Sequence, residues 1–326
     1  MAAAIIDGKA MAQAIEAEVA AEASALREQG RPVKLAAVQV GDDPASQIYT
    51  GMQRRRCEQV GIDYALRSLP GDADEQLLRA TLSELNTDAS VTGIILQMPL
   101  PLHLDPRAMQ LCIAPHKDAE SVHPLNMGRL MLGDYAVAPC TPRSAMALLE
   151  QACDDLAGKE AVIVGHSEIV GKPIAAMLLA SRDGAPTVTV CHVATRDLAF
   201  HTRRAEVLIV AAGVAQARWQ AYRRARRVGE KPPRPDLRPL LSGDMLREGA
   251  IVIDVAINRI PEALDKAGEA VCDDGGKAKM VTVGDVDFAA AREKVAAITP
   301  VPGGVGVVTV AMLLKNTLAC ARLQGE

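Results

Sequence analysis

A chain of 326 residues is too long for one ordinary core and about right for two domains, and its 49% of hydrophobic residues includes no apolar run near the roughly 18 needed to cross a bilayer, which reads as a soluble protein. Seven cysteines without CxxC spacing argue against a disulfide framework or a zinc site, the charged residues near the N-terminus argue against export and for the cytoplasm, and 2% aromatic content argues against a base-stacking nucleic-acid surface. The formal charge of −4 is uneven, because residues 216–243 hold eight Arg or Lys against Glu230 and Asp236, a run that reads as a solvated face or as a contact for an anion.

Residues 9–30 carry apolar positions at helical spacing and close on Gly30, a fitting residue just past a helix end. Lys34–Val40 is a short apolar run ending in GDDP, the pattern of a buried strand and a turn, and a helix bearing Tyr49 follows it. Residues 93–98 (GIILQM) form another buried strand, stopped by Pro99 and Pro101. The alternation predicts parallel βαβ units in a first domain over residues 1–140. Beyond it, residues 161–164, 187–192, 206–212 and 250–257 are β-branched runs separated by helical stretches. They predict a doubly wound parallel sheet over residues 141–297, so the fold class is α/β with two domains. Residues 299–306 (TPVPGGVG) are too rich in Pro and Gly for an element and precede a last helix within 298–326.

Two segments carry chemistry. In VIVGHSEIVGKP a strand, a glycine turn and a helix opening near Ser167 would bring backbone amides and a helix dipole to a pyrophosphate; Gly165 and Gly171 alone do not make the full GxGxxG pattern. In VGDDPASQIYTGMQRRRCEQVGI, Tyr49 and Gln53 stand four apart and so share one helix face. A Gln donates and accepts hydrogen bonds but cannot ionise or pass a proton.

Taken together these motifs resemble the methylenetetrahydrofolate dehydrogenase/cyclohydrolase family. The first segment is similar to the family's G-R-S-x-x-V-G-x-P with His166 for Arg, and the second to its folate segment with Gln53 for the catalytic Lys. GIILQMPLPLHLD resembles G-I-L-V-Q-L-P-L-P, which places Gln97 at the folate, and PHKDAESVHPLNMGRL resembles K-D-V-D-G-F-H-P-x-N-x-G-R-L, with Glu120 for Asp and Ser121 for Gly. PCTP (139–142) matches the domain junction with Ser144 for Gly, VIDVAIN (252–258) matches V-I-D-V-G-I-N, and Val307, Val308 and Thr309 stand for P-M-T after a close match at 298–306.

The resemblance implies a folate-site domain, a Rossmann-like domain, a C-terminal helix that returns to the first domain, and a homodimer. It implies catalytic positions at Tyr49, Gln53 and Gln97, and substrate contacts from Tyr49, Gln97, Glu120, Pro302, Gly303 and Gly304. Cofactor contacts are implied at Gly165, His166, Ser167, Ile169 and Val170, with Ala212, Gly213, Ile257 and Thr309. The cofactor is NAD or NADP and no metal is called for. His166 and Val193 supply little of the Arg-type pairing that a 2′-phosphate wants, which inclines the site toward NAD, with Arg182 or Arg196 as alternative phosphate partners. The implied reaction is oxidation of methylenetetrahydrofolate with cyclohydrolase activity weak or lost. Two alternatives stay open: a binding protein or enzyme for another substrate on the same fold, and a fully bifunctional enzyme using Tyr49 and a water.

Overall fold

The computed structural model describes residues 2–180, 184–273 and 275–325. The chain forms two compact units, Ala10–Arg143 with Val308–Glu326, and Met1–Lys9 with Ser144–Val307.

The first unit is built on a three-stranded parallel sheet in which Lys34–Val40 lies between Asp63–Leu69 and Gly93–Leu96. Its central strand is buried from Leu35 to Val40, which explains why that stretch is apolar except for Gln39. Asp63–Leu69 is an edge strand whose DYALRSL alternates too weakly to be legible, since most of its side chains stay half-exposed or exposed. Helix Glu75–Thr87 places Leu78, Leu82 and Leu85 at helical spacing against the sheet, and Asp74 caps its start by accepting from the Leu77 N–H at 2.8 Å. The helix Val305–Leu323 ends in this unit, where Asn316 Nδ2 donates to the carbonyls of Ala119 and Ala138, both at 2.8 Å. By length and composition this helix could cross a membrane, but 72% of its apolar window is buried within the fold.

The second unit carries a six-stranded, all-parallel sheet in the order Ala4–Ile5, Ala297–Ile298, Ile251–Asp254, Val207–Val210, Glu160–Val164, Thr187–Cys191. The two strands at one edge of this sheet come from parts of the chain that the sequence reading grouped elsewhere. Residues 1–9 and 298–307 group with this unit, because the two-residue strand Ala4–Ile5 pairs with Ala297–Ile298 and the latter pairs with Ile251 and Val252. Strands this short have no periodicity to detect.

A small antiparallel ribbon, Asn258–Pro261 against Met280–Val283, underlies the helix Val214–Arg227. Trp219 and Tyr222 of that helix pack on Ile260, Val281 and Val283. The basic run is therefore only partly a solvated face. Arg226 pairs with Glu269 at 2.6 Å, Arg238 with Asp236 at 2.9 Å, and Arg234 donates to the Leu264 carbonyl at 2.7 Å.

Candidate active site

In the first unit, the helix Pro44–Val60 starts where the Asp43 carboxylate accepts from the Ser46 N–H at 2.9 Å with Pro at its first turn, and stops at Gly61, whose φ of 77° only glycine adopts freely. These two signals fix which face carries Tyr49 and Gln53. Gln97 follows the strand Gly93–Leu96 and stays in register through its N–H to the Val38 carbonyl at 2.8 Å. The result is a buried amide pair: Gln97 Nε2 donates to Gln53 Oε1 at 2.9 Å. A third member, invisible to motif reading, is Tyr64 on the edge strand, whose hydroxyl donates to the same oxygen at 3.1 Å. Gln53 is fully buried and its Nε2 has no hydrogen-bond partner.

Glu120 lies on the same unit, two residues after the buried Asp118. Desolvation, reinforced by the Asp118 charge, raises the Glu120 carboxyl to about 8. Asp118 is structural: its Oδ2 accepts from the His123 N–H at 2.8 Å and from Asn126 Nδ2 at 3.1 Å. Burial also raises the Tyr49 and Tyr64 hydroxyls, so both remain donors across the neutral range. Tyr49 is within electrostatic reach of Glu120 and Cys140. The residue after Glu120, Ser121, holds a left-handed φ of 56°, a conformation that costs an L-residue of this kind about 1 kcal/mol or more, and its hydroxyl donates to the Val137 carbonyl at 3.2 Å.

Pro302, Gly303 and Gly304 belong to the second unit. There Gly304 abuts Gly8, where an added Cβ would lie 2.2 Å from the Gly304 carbonyl oxygen. Thr309 stands on the returning helix, in the first unit.

In the second unit the strand Glu160–Val164 runs into Gly165, at φ 129°, and then the helix Gly171–Leu179. A Cβ on Gly165 would sit 2.4 Å from the Ala211 carbonyl oxygen, and one on Gly171 2.0 Å from the Gly165 carbonyl oxygen. Both glycines are required by close backbone approach. Ser167 Oγ accepts from the Val170 N–H at 3.2 Å, so the turn is held by its own side chain. This turn borders a cleft of about 360 Å³ lined by Gly165, His166, Ser167, Glu168, Lys172, His192, Val193, Ala211 and Ala212.

His166 and His192 lie with ring centroids 4.8 Å apart, and His192 Nδ1 accepts from the Ala194 N–H at 3.1 Å, which assigns its proton to Nε2. Val193 is 63% exposed and adds no polar contact. Ile169 is exposed, and Ile257 is half-exposed beside Gly306. Arg182 lies outside the described residues.

Ala212 and Gly213 act differently from a phosphate cradle. Their N–H groups donate to Asp285 Oδ2 at 2.9 and 2.7 Å, Val214 N–H to its Oδ1 at 3.2 Å, and Asn258 Nδ2 to its Oδ1 at 3.0 Å. The N-terminus of the helix Val214–Arg227 is thus filled by a buried carboxylate and has no open amides to offer a phosphate. Asp254 lies within VIDVAIN and Asp285 within GDVDF (284–288), but those motifs do not reveal that both carboxylates are buried, where desolvation pushes Asp254 up to about 7 despite its backbone N–H donors. No cluster of three or more His, Cys, Asp or Glu suited to a metal occurs among the described residues.

The family model for the tetrahydrofolate dehydrogenase/cyclohydrolase catalytic domain matches residues 6–120, and the model for the NAD(P)-binding domain of the same enzymes matches residues 139–220 and 237–325. The chain belongs to this family. It is 44% identical over 322 residues to the bifunctional protein FolD of Moorella thermoacetica, covering 99% of this chain and 100% of that one. Among solved structures it is similar to the FolD methylenetetrahydrofolate dehydrogenase/cyclohydrolase of Campylobacter jejuni, with TM-score 0.82, 39% identity, and coverage of 99% of this chain and 100% of that one. It is also similar to the Trypanosoma brucei enzyme complexed with NADP and an inhibitor, with TM-score 0.82, 33% identity, and coverage of 100% of this chain and 99% of that one. The catalytic-domain model falls on the first unit apart from residues 6–9, the NAD(P)-binding model covers most of the second unit together with the returning helix of the first, and the cofactor of such a domain is NAD or NADP. The stretch 221–236, inside the basic run, lies outside the matched residues.

Proposed function

We propose that this family member oxidises 5,10-methylenetetrahydrofolate to the methenyl form with NAD or NADP, as a cytoplasmic enzyme of one-carbon metabolism, and that its cyclohydrolase activity is weak or lost. The observation that carries this reading is the uncharged amide of Gln53, held by Gln97 at 2.9 Å at the position where the family resemblance expects a Lys. The bound nicotinamide supplies the hydride acceptor. Removing hydride from the one-carbon bridge leaves a delocalised cation, which calls for alignment and exclusion of water but no proton transfer. Tyr49, Gln53 and Gln97 provide a neutral wall for that cation, and Glu120 a carboxyl group that, once ionised, accepts from adjacent N–H donors of the pterin ring. Hydrolysis of the methenyl cation needs water attack with a base and an acid near neutral pH. A Gln is neither. Assays of the purified protein with methylene- and methenyltetrahydrofolate test this, and fast enzyme-dependent hydrolysis of the methenyl form would overturn it.

One observation favours a second reading, full bifunctionality. The Glu120 carboxyl, raised to about 8, is protonated at neutral pH and is tuned for acid–base work. Under that reading methenyl hydrolysis is readily measurable and is abolished in Glu120→Gln.

The same group sets a pH dependence for binding. Burial favours the neutral acid, so the acceptor pair is incomplete at pH 7 and forms as pH rises through about 8. Tetrahydrofolate affinity measured by calorimetry is expected to increase from pH 7 to 9, and to become flat in Glu120→Gln. A flat wild-type profile would remove Glu120 from the pterin contact.

Cofactor choice follows from His166. A bidentate charged contact to phosphate contributes roughly 1.5–3 kcal/mol, so His166→Arg is expected to raise NADP affinity relative to NAD by about one to two orders of magnitude. An unchanged ratio of dissociation constants would displace the 2′-phosphate from this turn.

A further inference from the structure

Two donors converge on one end of the Gln53 amide. Tyr64 reaches Oε1 from the edge strand Asp63–Leu69 at 3.1 Å, and Gln97 reaches it from the end of Gly93–Leu96 at 2.9 Å. With both lone pairs of Oε1 engaged, rotating the amide would break two hydrogen bonds in a site where Gln53 is fully buried and Gln97 is nearly so. The other end, Nε2, is buried and unpartnered. Tyr64 is itself anchored: the Arg54 guanidinium lies 5.7 Å from its ring centroid, and burial keeps its hydroxyl protonated.

We propose that Tyr64 is a positioning residue of the one-carbon site, which with Gln97 locks the Gln53 amide so that its Nε2 donates to a carbonyl oxygen of the bound carrier. The proposal rests on the dehydrogenase reading above. It makes position 53 a fixed neutral donor: the amide holds substrate without adding positive charge where hydride removal creates one. Tyr64 belongs to no motif of the chain, and its ring would be an ordinary edge-strand side chain without the hydroxyl's bond to Gln53.

A double-mutant cycle tests it, with methylenetetrahydrofolate as the substrate and tetrahydrofolate as the binding probe. Tyr64→Phe keeps the ring and removes only the hydroxyl, and Gln53→Met keeps the length of the side chain and removes the amide. In the native background, loss of one orienting hydrogen bond is expected to raise KM and the tetrahydrofolate Kd by about three- to tenfold, with kcat within about twofold. In the Gln53→Met background, Tyr64→Phe is expected to change both by less than about twofold, because nothing is left to orient. Equal effects of Tyr64→Phe in the two backgrounds, or no effect in the native one, overturn the proposal. A wild-type protein that neither oxidises methylenetetrahydrofolate nor binds tetrahydrofolate overturns the dehydrogenase reading instead, and the proposal with it. Thermal midpoints of all four proteins separate loss of folding from loss of orientation.

Discussion

Replacing Gln53 by Lys together with Glu120 by Asp is expected to raise methenyltetrahydrofolate hydrolysis by about 10²-fold or more, the usual worth of a positioned general acid–base group. The site is arranged around an acceptor, since Tyr64 and Gln97 both donate to Gln53 Oε1. An ammonium is only a donor, so the Tyr64 oxygen must turn to accept and the Gln97 amide must present its carbonyl. Both changes need rotations rather than backbone movement. Arg54, already beside Tyr64, would disfavour a second cation and so lower the new amine toward neutrality, which suits it to act as a base. Glu120→Asp shortens the carboxylate by one methylene and brings the pterin contact back to the family spacing. Dehydrogenase activity is expected to change far less, falling slightly because a nearby ammonium opposes the cation formed by hydride loss. Single-turnover hydrolysis of methenyltetrahydrofolate measures the gain. A double variant that binds this substrate and still fails to hydrolyse it would show that the absent Lys is not the deciding lesion, and would favour a substrate other than folate.

Asp285→Ala is expected to destabilise the second unit by about 3–5 kcal/mol, a fall in Tm on the order of 10 °C. One buried carboxylate accepts from Ala212, Gly213, Val214 and Asn258, and its removal leaves three backbone N–H groups and a side-chain amide without partners. Because Ala212 also lines the cleft beside the Gly165 turn, where the dinucleotide is proposed to bind, NADP affinity should fall as well. Asp285→Asn retains an acceptor oxygen and should cost clearly less than the Ala variant. Calorimetric unfolding of the three proteins measures the series. A loss below about 1 kcal/mol for Asp285→Ala would mean that water satisfies these groups and that the carboxylate does not organise the turn.

The long buried strands and the glycine turn were legible in the sequence because each leaves a local trace. Leu35–Val40 is apolar but for Gln39 since it is buried along its whole length, and Gly165 and Gly171 are glycines since backbone lies within 2.4 Å of where a Cβ would be. The Gln at position 53, where the family resemblance expects a Lys, was legible for the same reason, being one residue within a recognisable helix. Ala4–Ile5 and Ala297–Ile298 left no such trace, because two residues have no period and their pairing spans nearly the whole chain. Tyr64 was silent too: its importance lies in one hydrogen bond to a residue eleven positions earlier, across helix, turn and strand. Asp254 and Asp285 were visible as motif residues, but their burial side by side was not. The sequence by itself therefore determined the family, the α/β class and the chemical identity of position 53. Only the tertiary structure decided which way the Gln53 amide points, which helix end is free to hold an anion, and how far Glu120 is driven toward its neutral form, because burial and non-local hydrogen bonds, not residue type, set all three.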